Sequence, residues 1–396
     1  MESVAPEEVG LSSERLKRLD ALIQHYIDEQ GIPGVLMLIA RHGKLAYSKP
    51  FGLMDIATHR STQLDTIYRI YSMTKPVTCA AVMMLHEEGH FALSDPISDY
   101  IPEFADTPVY VDGKQVPPER PITIQHLLTH TSGLVYAAGN SPVEQMNREA
   151  DLHGRDVPLA EWVKRLAALP LMHHPGTVWH YGPSIDVLGY LVEVVAGIPF
   201  AEFLRTHIFQ PLGMLDTDLY VPPAKLDRLA TLYGEGLWVT DAESLGDYTQ
   251  PPVWESGGGG LVSTGMDFLR FAQMLLNGGE LDGVRLLGRK TVSYMTTNHL
   301  LSSIDRSRRQ RGYGYGFGVD VLLDPVAAGR LSSVGEYGWS GGLASTHFWV
   351  DPVEDLVAVK MTQIVHRDEA GNDVPHRDMN TDLRTAVYQA LIDAAL

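Results

Sequence analysis

Apolar positions near the start of the chain follow first a helical and then a strand spacing. A serine cap at Ser12 predicts a helix that runs to about Gln30. Its apolar positions recur every three or four residues, at Leu16, Leu19, Leu22, Ile23 and Tyr26. Two further apolar runs, residues 35–41 and 44–52, flank His42-Gly43 and predict an antiparallel hairpin.

The middle of the chain has a different character. Prolines become frequent after residue 95, and four segments show helical spacing: 123–130, 159–168, 184–196 and 200–208. A small hairpin is predicted over 109–116, on an Asp112-Gly113 turn. We therefore predict that residues 95–250 form a mostly helical domain, inserted into an α/β domain made of residues 1–94 and 251–396.

Strand patterns return in the last third of the chain. Strands are predicted over 315–323, 344–350 and 356–362, the last two as antiparallel neighbours, and helices over 266–277 and 382–396. With the first hairpin, these segments predict an antiparallel sheet flanked by helices. The expected fold class is α+β, with more than one domain.

Composition narrows the range of functions. The 396 residues carry 31 basic and 49 acidic side chains, a formal net charge of −18, which disfavours nucleic acid and anionic membrane surfaces as partners. The longest apolar runs are shorter than the ~20 residues of a membrane span, and the acidic first residues do not resemble a signal peptide. We expect a cytoplasmic protein, whose oligomeric state the sequence leaves open. Cys79 is the single cysteine and is expected in the core.

The stretch Ile70-Tyr71-Ser72-Met73-Thr74-Lys75-Pro76 holds the first chemical candidate. Ser72 and Lys75 are three residues apart at the start of a predicted helix, 75–88, so their side chains share one face. A serine hydroxyl needs a neighbouring base to act as a nucleophile, and a lysine serves as that base where burial lowers its pKa. The helix that follows is apolar, and no other serine has a lysine three residues on. Both facts favour a functional pair over an ordinary surface pair.

A second serine motif competes with the first. Gly338-Trp339-Ser340-Gly341-Gly342 fits G-x-S-x-G, the nucleophile elbow of α/β-hydrolases. That motif requires a strand, a sharp turn and a helix, whereas residues 344–350 alternate like a strand. We also expect the stretch between Ser340 and Leu396 to be too short for the rest of such a fold. We interpret the motif as a glycine-rich strand that lines a cleft.

Two other motifs predict neither a cofactor nor a metal. The run of glycines at 257–260 lacks the spacing of a phosphate-binding loop, and we interpret it as the start of a closely packed strand. Three histidines, His173, His174 and His180, lie near one another in sequence but without a recognised metal-ligand spacing. No cofactor and no metal site are expected.

Three further strings complete a recognisable set. They are Ile122-Thr123-Ile124-Gln125-His126-Leu127-Leu128-Thr129-His130-Thr131-Ser132-Gly133-Leu134, Pro175-Gly176-Thr177-Val178-Trp179-His180-Tyr181-Gly182-Pro183-Ser184 and Phe209-Gln210-Pro211-Leu212-Gly213-Met214-Leu215-Asp216-Thr217. With the Ser72 stretch, they resemble the serine β-lactamase and penicillin-binding protein superfamily, and most of all its class C β-lactamase-like carboxylesterases, the family VIII esterases. The resemblance runs from about Gly10 to the C-terminus. It implies a β-lactamase/transpeptidase-like fold, with an antiparallel sheet, flanking helices and a helical second domain.

The resemblance also implies roles for individual residues. Ser72 would be the acylated nucleophile, Lys75 its partner and Tyr181 the tyrosine of the Y-x-N motif. Trp339-Ser340-Gly341 corresponds to the K-T-G strand motif beside the substrate, and the N–H groups of Ser72 and Gly342 would form the oxyanion hole. Because a lysine ammonium favours the phenolate form of a nearby tyrosine, Tyr181 would act as the general base.

Two departures from the family pattern bear on the substrate. Pro183 stands in place of the Y-x-N asparagine, and Trp339 in place of the K-T-G lysine. Those two groups hold the amide and carboxylate of lactams and peptides, whereas a tryptophan offers an apolar face and one N–H donor. We therefore predict a small neutral ester as substrate, short-chain or aryl, and weak or no β-lactamase activity. Tyr136 is a candidate wall of the pocket.

Three alternatives remain open at this point. The chain could transfer the acyl group to an alcohol acceptor, or it could be a β-lactamase or D-aminopeptidase. It could also be a binding module that kept the fold without the activity. The presence of Ser72, Lys75 and Tyr181 together favours an enzyme.

Overall fold

The computed structural model describes residues 1–150, 152, 157–240, 246–369 and 371–392. Its helices are α1 (Ser13–Gln30), α2 (Thr74–Glu87), α3 (Ile124–Leu128), α4 (Pro142–Glu149), α5 (Leu159–Ala167), α6 (Ser184–Ala196), α7 (Phe200–Leu204), α8 (Gln210–Leu212), α9 (Gly265–Leu276), α10 (Arg289–Met295), α11 (Pro325–Ala328) and α12 (Met379–Tyr388). Its strands are β1 (Gly34–Arg41), β2 (Lys44–Asp55), β3 (Arg60–Ser61), β4 (Ile67–Arg69), β5 (Val109–Val111), β6 (Lys114–Val116), β7 (Tyr233–Gly234), β8 (Val262–Thr264), β9 (Glu280–Leu281), β10 (Val284–Arg285), β11 (Tyr313–Tyr315), β12 (Asp320–Leu322), β13 (Tyr337–Gly341), β14 (Thr346–Asp351), β15 (Leu356–Met361) and β16 (Ile364–Val365).

An eight-stranded antiparallel sheet organises the chain. Its strand order is β11-β12-β13-β14-β15-β1-β2-β3, so the first hairpin of the chain pairs with the last strands. The register places Leu38 opposite Val359, and Val359 opposite Phe348. Strand β1 is an interior strand of the sheet, between β15 and β2, and it is buried along its whole length because both faces of the sheet are covered.

Side chains alternate between two apolar layers along these central strands. Leu38, Phe348 and Val359 point into one core, which they share with α2 and α9. Met37 and Trp349 point into the opposite core, which α1 and α12 cover. The predicted antiparallel sheet with flanking helices is therefore confirmed.

The mostly helical segment packs beside the sheet and extends the first core. Buried side chains of α3, α5, α6 and α7 meet there, including Leu127, Trp162, Leu188 and Phe200. Helices α2 and α6 are in direct contact, so the helix that follows Ser72 lies against the helix that follows Tyr181. The division at residues 95 and 250 stays a prediction.

Two predicted elements differ in the structure. Residues 315–323 form two antiparallel strands, β11 and β12, rather than one strand, because Gly318 turns the chain at a φ of +74°. A Cβ at Gly318 would lie 2.9 Å from Pro76 N, so the turn also packs tightly on the start of α2. The terminal helix begins at Met379 and ends at Tyr388 instead of spanning 382–396. Residues 393–396 of that prediction lie outside the described residues.

Among the described residues, none of the helices has by itself the length and apolar character of a membrane span. The bent pair Ser184–Ala196 and Phe200–Leu212 has them only when its two helices are taken together.

Cys79 is fully buried in the core, as expected.

Candidate active site

The chain bends sharply just before Ser72. Strand β4 leads into the bend and is held in place by its pairing with β8. Tyr71 has a φ of +40°, a left-handed conformation that costs a non-glycine residue about 1–2 kcal/mol. Its ring is buried edge-on against Tyr248, with 5.9 Å between ring centroids. The bend places Ser72 in the 3₁₀ turn Tyr71–Met73 at the head of α2, where its side chain is half-buried.

Two side chains contact the Ser72 hydroxyl. Lys75 Nζ lies 3.1 Å from Ser72 Oγ, and Tyr181 Oη lies 2.8 Å from the same atom. The Lys75 ammonium also lies 4.7 Å from the centroid of the Tyr181 ring. The structure thus brings together the three residues proposed as catalytic. A serine hydroxyl that lies within hydrogen-bond distance of an amine and a phenol has the geometry of an activated nucleophile.

Lys75 is buried, with 1% of its surface exposed. Its second hydrogen-bond acceptor is the carbonyl oxygen of Gly258, at 2.6 Å. Gly258 belongs to the four-glycine run, whose predicted close approach is correct: a Cβ at Gly257 would lie 2.7 Å from the carbonyl oxygen of Ile185. Glycine therefore lets the backbone come near enough to accept a hydrogen bond from Lys75.

Tyr181 is held on one side by a neutral histidine. The fully buried His130 ring lies 4.8 Å from the Tyr181 ring, and its Nδ1 accepts a hydrogen bond of 3.4 Å from the Gly182 N–H. Burial, and next the charge of Lys75, hold the pKa of His130 well below its usual range. His130 therefore packs against Tyr181 as an uncharged ring, a contact that the sequence did not predict.

Aromatic side chains form a wall around Tyr181. Tyr136 and Trp339 lie 5.6 Å and 5.7 Å from the Tyr181 ring, and Trp179 lies 6.4 Å away in a stacked orientation. Burial, and next the charge of Asp186, raise the pKa of Tyr136 well above its usual value, so Tyr136 stays a neutral phenol. Trp339 and Tyr136 thus stand beside the proposed catalytic residues and add no charge there.

The backbone after Trp339 passes close to the start of the Ser72 turn. A Cβ at Gly341 would overlap the carbonyl oxygen of Ile70, so this strand end requires glycine. Gly342 follows, exposed, in the turn after β13. Ser72 lies in the first helical turn, where backbone N–H groups have no helical acceptor. The two N–H donors proposed for the oxyanion hole therefore belong to segments in contact; their role stays a prediction.

Ser340 is engaged on the other face of the sheet. It pairs with His347 of β14, and its Oγ lies 2.7 Å from His347 Nδ1. Arg384 Nη2 lies 3.1 Å from His347 Nε2, and since arginine has no acceptor, Nε2 must accept. Nδ1 then carries the ring proton and donates a hydrogen bond to Ser340 Oγ. His347 is therefore unable to act as the base for Ser340.

The nucleophile-elbow alternative also lacks its geometry. Ser340 lies inside β13, whereas an elbow serine stands on a sharp turn between a strand and a helix. The expected contact of Ser340 with substrate has no support from its hydroxyl, which faces His347. Trp339 is the member of this motif whose side chain reaches Tyr181.

Two of the histidines near Tyr181 are in contact with each other. His173 Nε2 lies 3.0 Å from His180 Nδ1. In the part of the chain that the structure describes, no group of three or more His, Cys, Asp or Glu side chains could hold a metal ion.

Comparisons with known proteins extend over nearly the whole chain. The family model described as Beta-lactamase matches residues 19–382. Esterase EstB of Burkholderia gladioli is 31% identical over 393 residues, which cover 94% of this chain and 94% of that protein. Lovastatin esterase of Penicillium rubens is 30% identical over 379 residues, 88% of this chain and 92% of that protein. Among solved structures, EstCE1, described as a hydrolase with promiscuous acyltransferase activity, has a TM-score of 0.78 and 28% identity, and the match covers 94% of this chain and 98% of that one.

Proposed function

Because the chain belongs to the β-lactamase family and is a serine hydrolase, we propose that it is a carboxylesterase that cleaves short-chain or aryl esters through an acyl-enzyme on Ser72. The observation that carries the proposal is the pair of contacts on Ser72 Oγ, from Lys75 at 3.1 Å and from Tyr181 at 2.8 Å. The likeness to two proteins named esterases supports ester chemistry.

The acylation step uses these contacts directly. Tyr181 accepts the proton of Ser72 as Ser72 Oγ bonds to the carbonyl carbon of the ester. The Lys75 ammonium stabilises the phenolate form of Tyr181 that accepts this proton. The N–H groups of Ser72 and Gly342 would donate hydrogen bonds to the oxyanion that forms. When the ester C–O bond breaks, Tyr181 returns its proton to the leaving alcohol.

Deacylation repeats the proton transfers with water as the nucleophile. Tyr181 accepts a proton from the water as the water oxygen bonds to the acyl carbon. The bond from the acyl carbon to Ser72 Oγ then breaks, and Ser72 recovers its proton from Tyr181. The products are a carboxylic acid and the free enzyme.

The wall beside the site favours uncharged substrates. Trp339, in the place of a family lysine, packs 5.7 Å from Tyr181 and cannot pair with a carboxylate. Pro183, in the place of a family asparagine, has no polar side chain to hold an amide. Neutral esters would therefore be preferred over β-lactams and D-amino-acid peptides.

Acyl transfer to an alcohol is the second candidate function. It is supported by the likeness to EstCE1, at 28% identity. The two reactions share the acyl-enzyme and differ only in whether water or an alcohol attacks it. Adding an acceptor alcohol and measuring new ester against free acid would separate them. The cytoplasmic location and the lack of nucleic-acid and membrane partners stay predictions from the sequence.

A panel of p-nitrophenyl esters, lactones and nitrocefin, tested against wild type, Ser72→Ala and Ser340→Ala, tests the function. We expect rapid turnover of p-nitrophenyl butyrate that Ser72→Ala abolishes and Ser340→Ala retains. Nitrocefin turnover equal to ester turnover would favour a β-lactamase instead. No turnover, together with no labelling of Ser72 by a fluorophosphonate, would favour a binding module.

A further inference from the structure

Lys75 is a buried basic side chain without a direct counter-charge among the described residues. Its side chain is 1% exposed, and no carboxylate among the described residues forms an ion pair with its ammonium. A charge in a low-dielectric interior is strongly destabilised unless an opposite charge or a set of oriented dipoles stabilises it. The carbonyl oxygen of Gly258 accepts a hydrogen bond from Lys75 at 2.6 Å. Any indirect stabilisation of the Lys75 ammonium through this contact must come from the residues bonded to that peptide group.

A chain of hydrogen bonds runs from that carbonyl to a buried carboxylate. The carbonyl of Gly258 and the N–H of Gly259 belong to one peptide group, and this N–H donates to Ser256 Oγ at 3.1 Å. The Ser256 hydroxyl in turn donates to Asp186 Oδ1 at 2.5 Å. All the donors point the same way, from the Lys75 ammonium toward the Asp186 carboxylate. Hydrogen bonds aligned in this manner polarise one another and strengthen the whole chain.

Asp186 is placed for this role by the fold. It is 2% exposed and lies in the first turn of α6, the helix that begins just after Tyr181. The same Oδ1 accepts a second hydrogen bond, from the Gly258 N–H at 3.0 Å. A Cβ at Gly258 would overlap Asp186 Oδ2, so the contact requires glycine there. Asp186 thus joins the helix behind Tyr181 to the backbone that orients Lys75.

We propose that Asp186 is a positioning residue for Lys75, and that its carboxylate is the counter-charge of the ammonium, relayed through Ser256 and the Gly258–Gly259 peptide group. The inference rests on the proposed function, because it gives Asp186 a part in that reaction. Its negative charge would compensate the positive charge of the Lys75 side chain beside Tyr181. Its hydrogen bonds fix the carbonyl that aims Lys75 Nζ at Ser72.

Asp186→Asn separates the charge from the geometry. An asparagine oxygen can accept both hydrogen bonds but carries no charge. We expect kcat for p-nitrophenyl butyrate to fall about 10- to 100-fold, the equivalent of one hydrogen bond to a charged group, with little change in KM. The basic limb of the pH–rate profile should move to lower pH, because the ammonium loses its counter-charge. The titratable groups that face Lys75, which are Tyr181, His130 and Cys79, are unchanged in this variant.

Asp267→Asn serves as a control, and Ser256→Ala tests the relay itself. Asp267 is also a buried aspartate that holds a loop, accepting from the Asp216 N–H at 2.7 Å and the Thr217 hydroxyl at 3.0 Å. Asp267→Asn should keep the wild-type pH profile, since it has no link to Lys75. Ser256→Ala interrupts the relay and should cost part of the activity, with little further loss when combined with Asp186→Asn.

The proposal would be overturned if folded Asp186→Asn keeps the wild-type kcat and the wild-type basic limb of the pH–rate profile. It would also be overturned if Asp267→Asn lowers kcat and moves the basic limb as much as Asp186→Asn does. If Asp186→Asn does not fold, wild-type kinetics in Ser256→Ala would overturn it instead. Failure of the proposed function is a separate result, namely a wild type that hydrolyses no ester. In that case the titration of the Lys75 ammonium, followed by NMR with and without the Asp186 charge, still tests the link: a shift to lower pH supports it and no shift refutes it.

Discussion

Tyr181 Oη lies 2.8 Å from Ser72 Oγ, although 109 residues separate the two in the chain. The contact depends on the packing of α2 against α6, because each helix begins just after one of these residues. Since the two helices share a buried core, Ser72 and Tyr181 are held at a fixed separation before any substrate arrives. A preset pair of this kind suits a proton transfer that needs no rearrangement.

Removing the Tyr181 hydroxyl should abolish most activity. Tyr181→Phe keeps the ring between Lys75 and Trp339 but has no oxygen to accept the Ser72 proton. We expect kcat for p-nitrophenyl butyrate to fall about 10²- to 10⁴-fold, the usual effect of losing a general base. Tyr136→Phe is the matched control, since its ring also lies beside Tyr181, and it should keep most of the turnover. Equal losses in the two variants would show that the Tyr181 hydroxyl has no special role.

Position 339 should control the preference for charged substrates. Trp339→Lys introduces an ammonium beside the site, which could pair with the carboxylate of a β-lactam. We expect the ratio of nitrocefin turnover to ester turnover to rise in this variant. Trp339→Phe keeps an apolar ring and should leave the ratio close to that of wild type. A ratio that stays the same in both variants would mean that the residue at 339 does not decide the preference.

The sequence predicted the parts of the site that depend on local spacing. Ser72 and Lys75 share a helical face, and that proximity follows from a separation of three residues. Tyr181 was put forward only through the resemblance of a distant motif, since no periodicity connects it to Ser72. Asp186 gave no signal beyond a buried position on α6, because its partner Ser256 is 70 residues away.

Strands were predicted better than the turns between them. The β14–β15 pairing followed from two alternating runs joined by a short turn. The break at Gly318 was missed, because a glycine within an apolar run is also compatible with a continuous strand. The direction of the Ser340 side chain also gave no signal in the sequence. It depends on which face β13 turns toward His347, and that depends on the pairing of distant strands.

The free energy of unfolding should depend on the buried ion pair between Arg384 and Glu336. Arg384 Nη2 lies 3.0 Å from Glu336 Oε1, and their side chains are only 6% and 2% exposed. Arg384→Ala leaves the Glu336 charge buried and unpaired, which should lower the free energy of unfolding by about 3–5 kcal/mol. Lys17→Ala removes the Lys17–Glu14 pair, which is exposed to solvent, and should leave the free energy of unfolding almost unchanged. Urea unfolding measures both, and similar values for the two variants would contradict this expectation.

Acid should destabilise the fold through histidines that are buried uncharged. Burial, and next the charge of Arg120, lower the pKa of His126 to about 4. Burial, and next the charge of Arg308, lower the pKa of His180 to about 4. The unfolded chain binds these protons below about pH 6.5 but the folded chain does not, so stability is complete above that pH and falls toward pH 4. His126→Gln should reduce the proton uptake on unfolding at pH 5 by about one. Equal proton uptake in wild type and His126→Gln would refute the assignment.

The central claim is that Ser72 carries the acyl group. Mass spectrometry of the protein quenched during turnover of a slow p-nitrophenyl ester, followed by peptide mapping, tests it most directly. We predict one acyl group per chain on the peptide that contains Ser72, and none in Ser72→Ala. An acyl group on Ser340, or undiminished turnover in Ser72→Ala, would contradict the account.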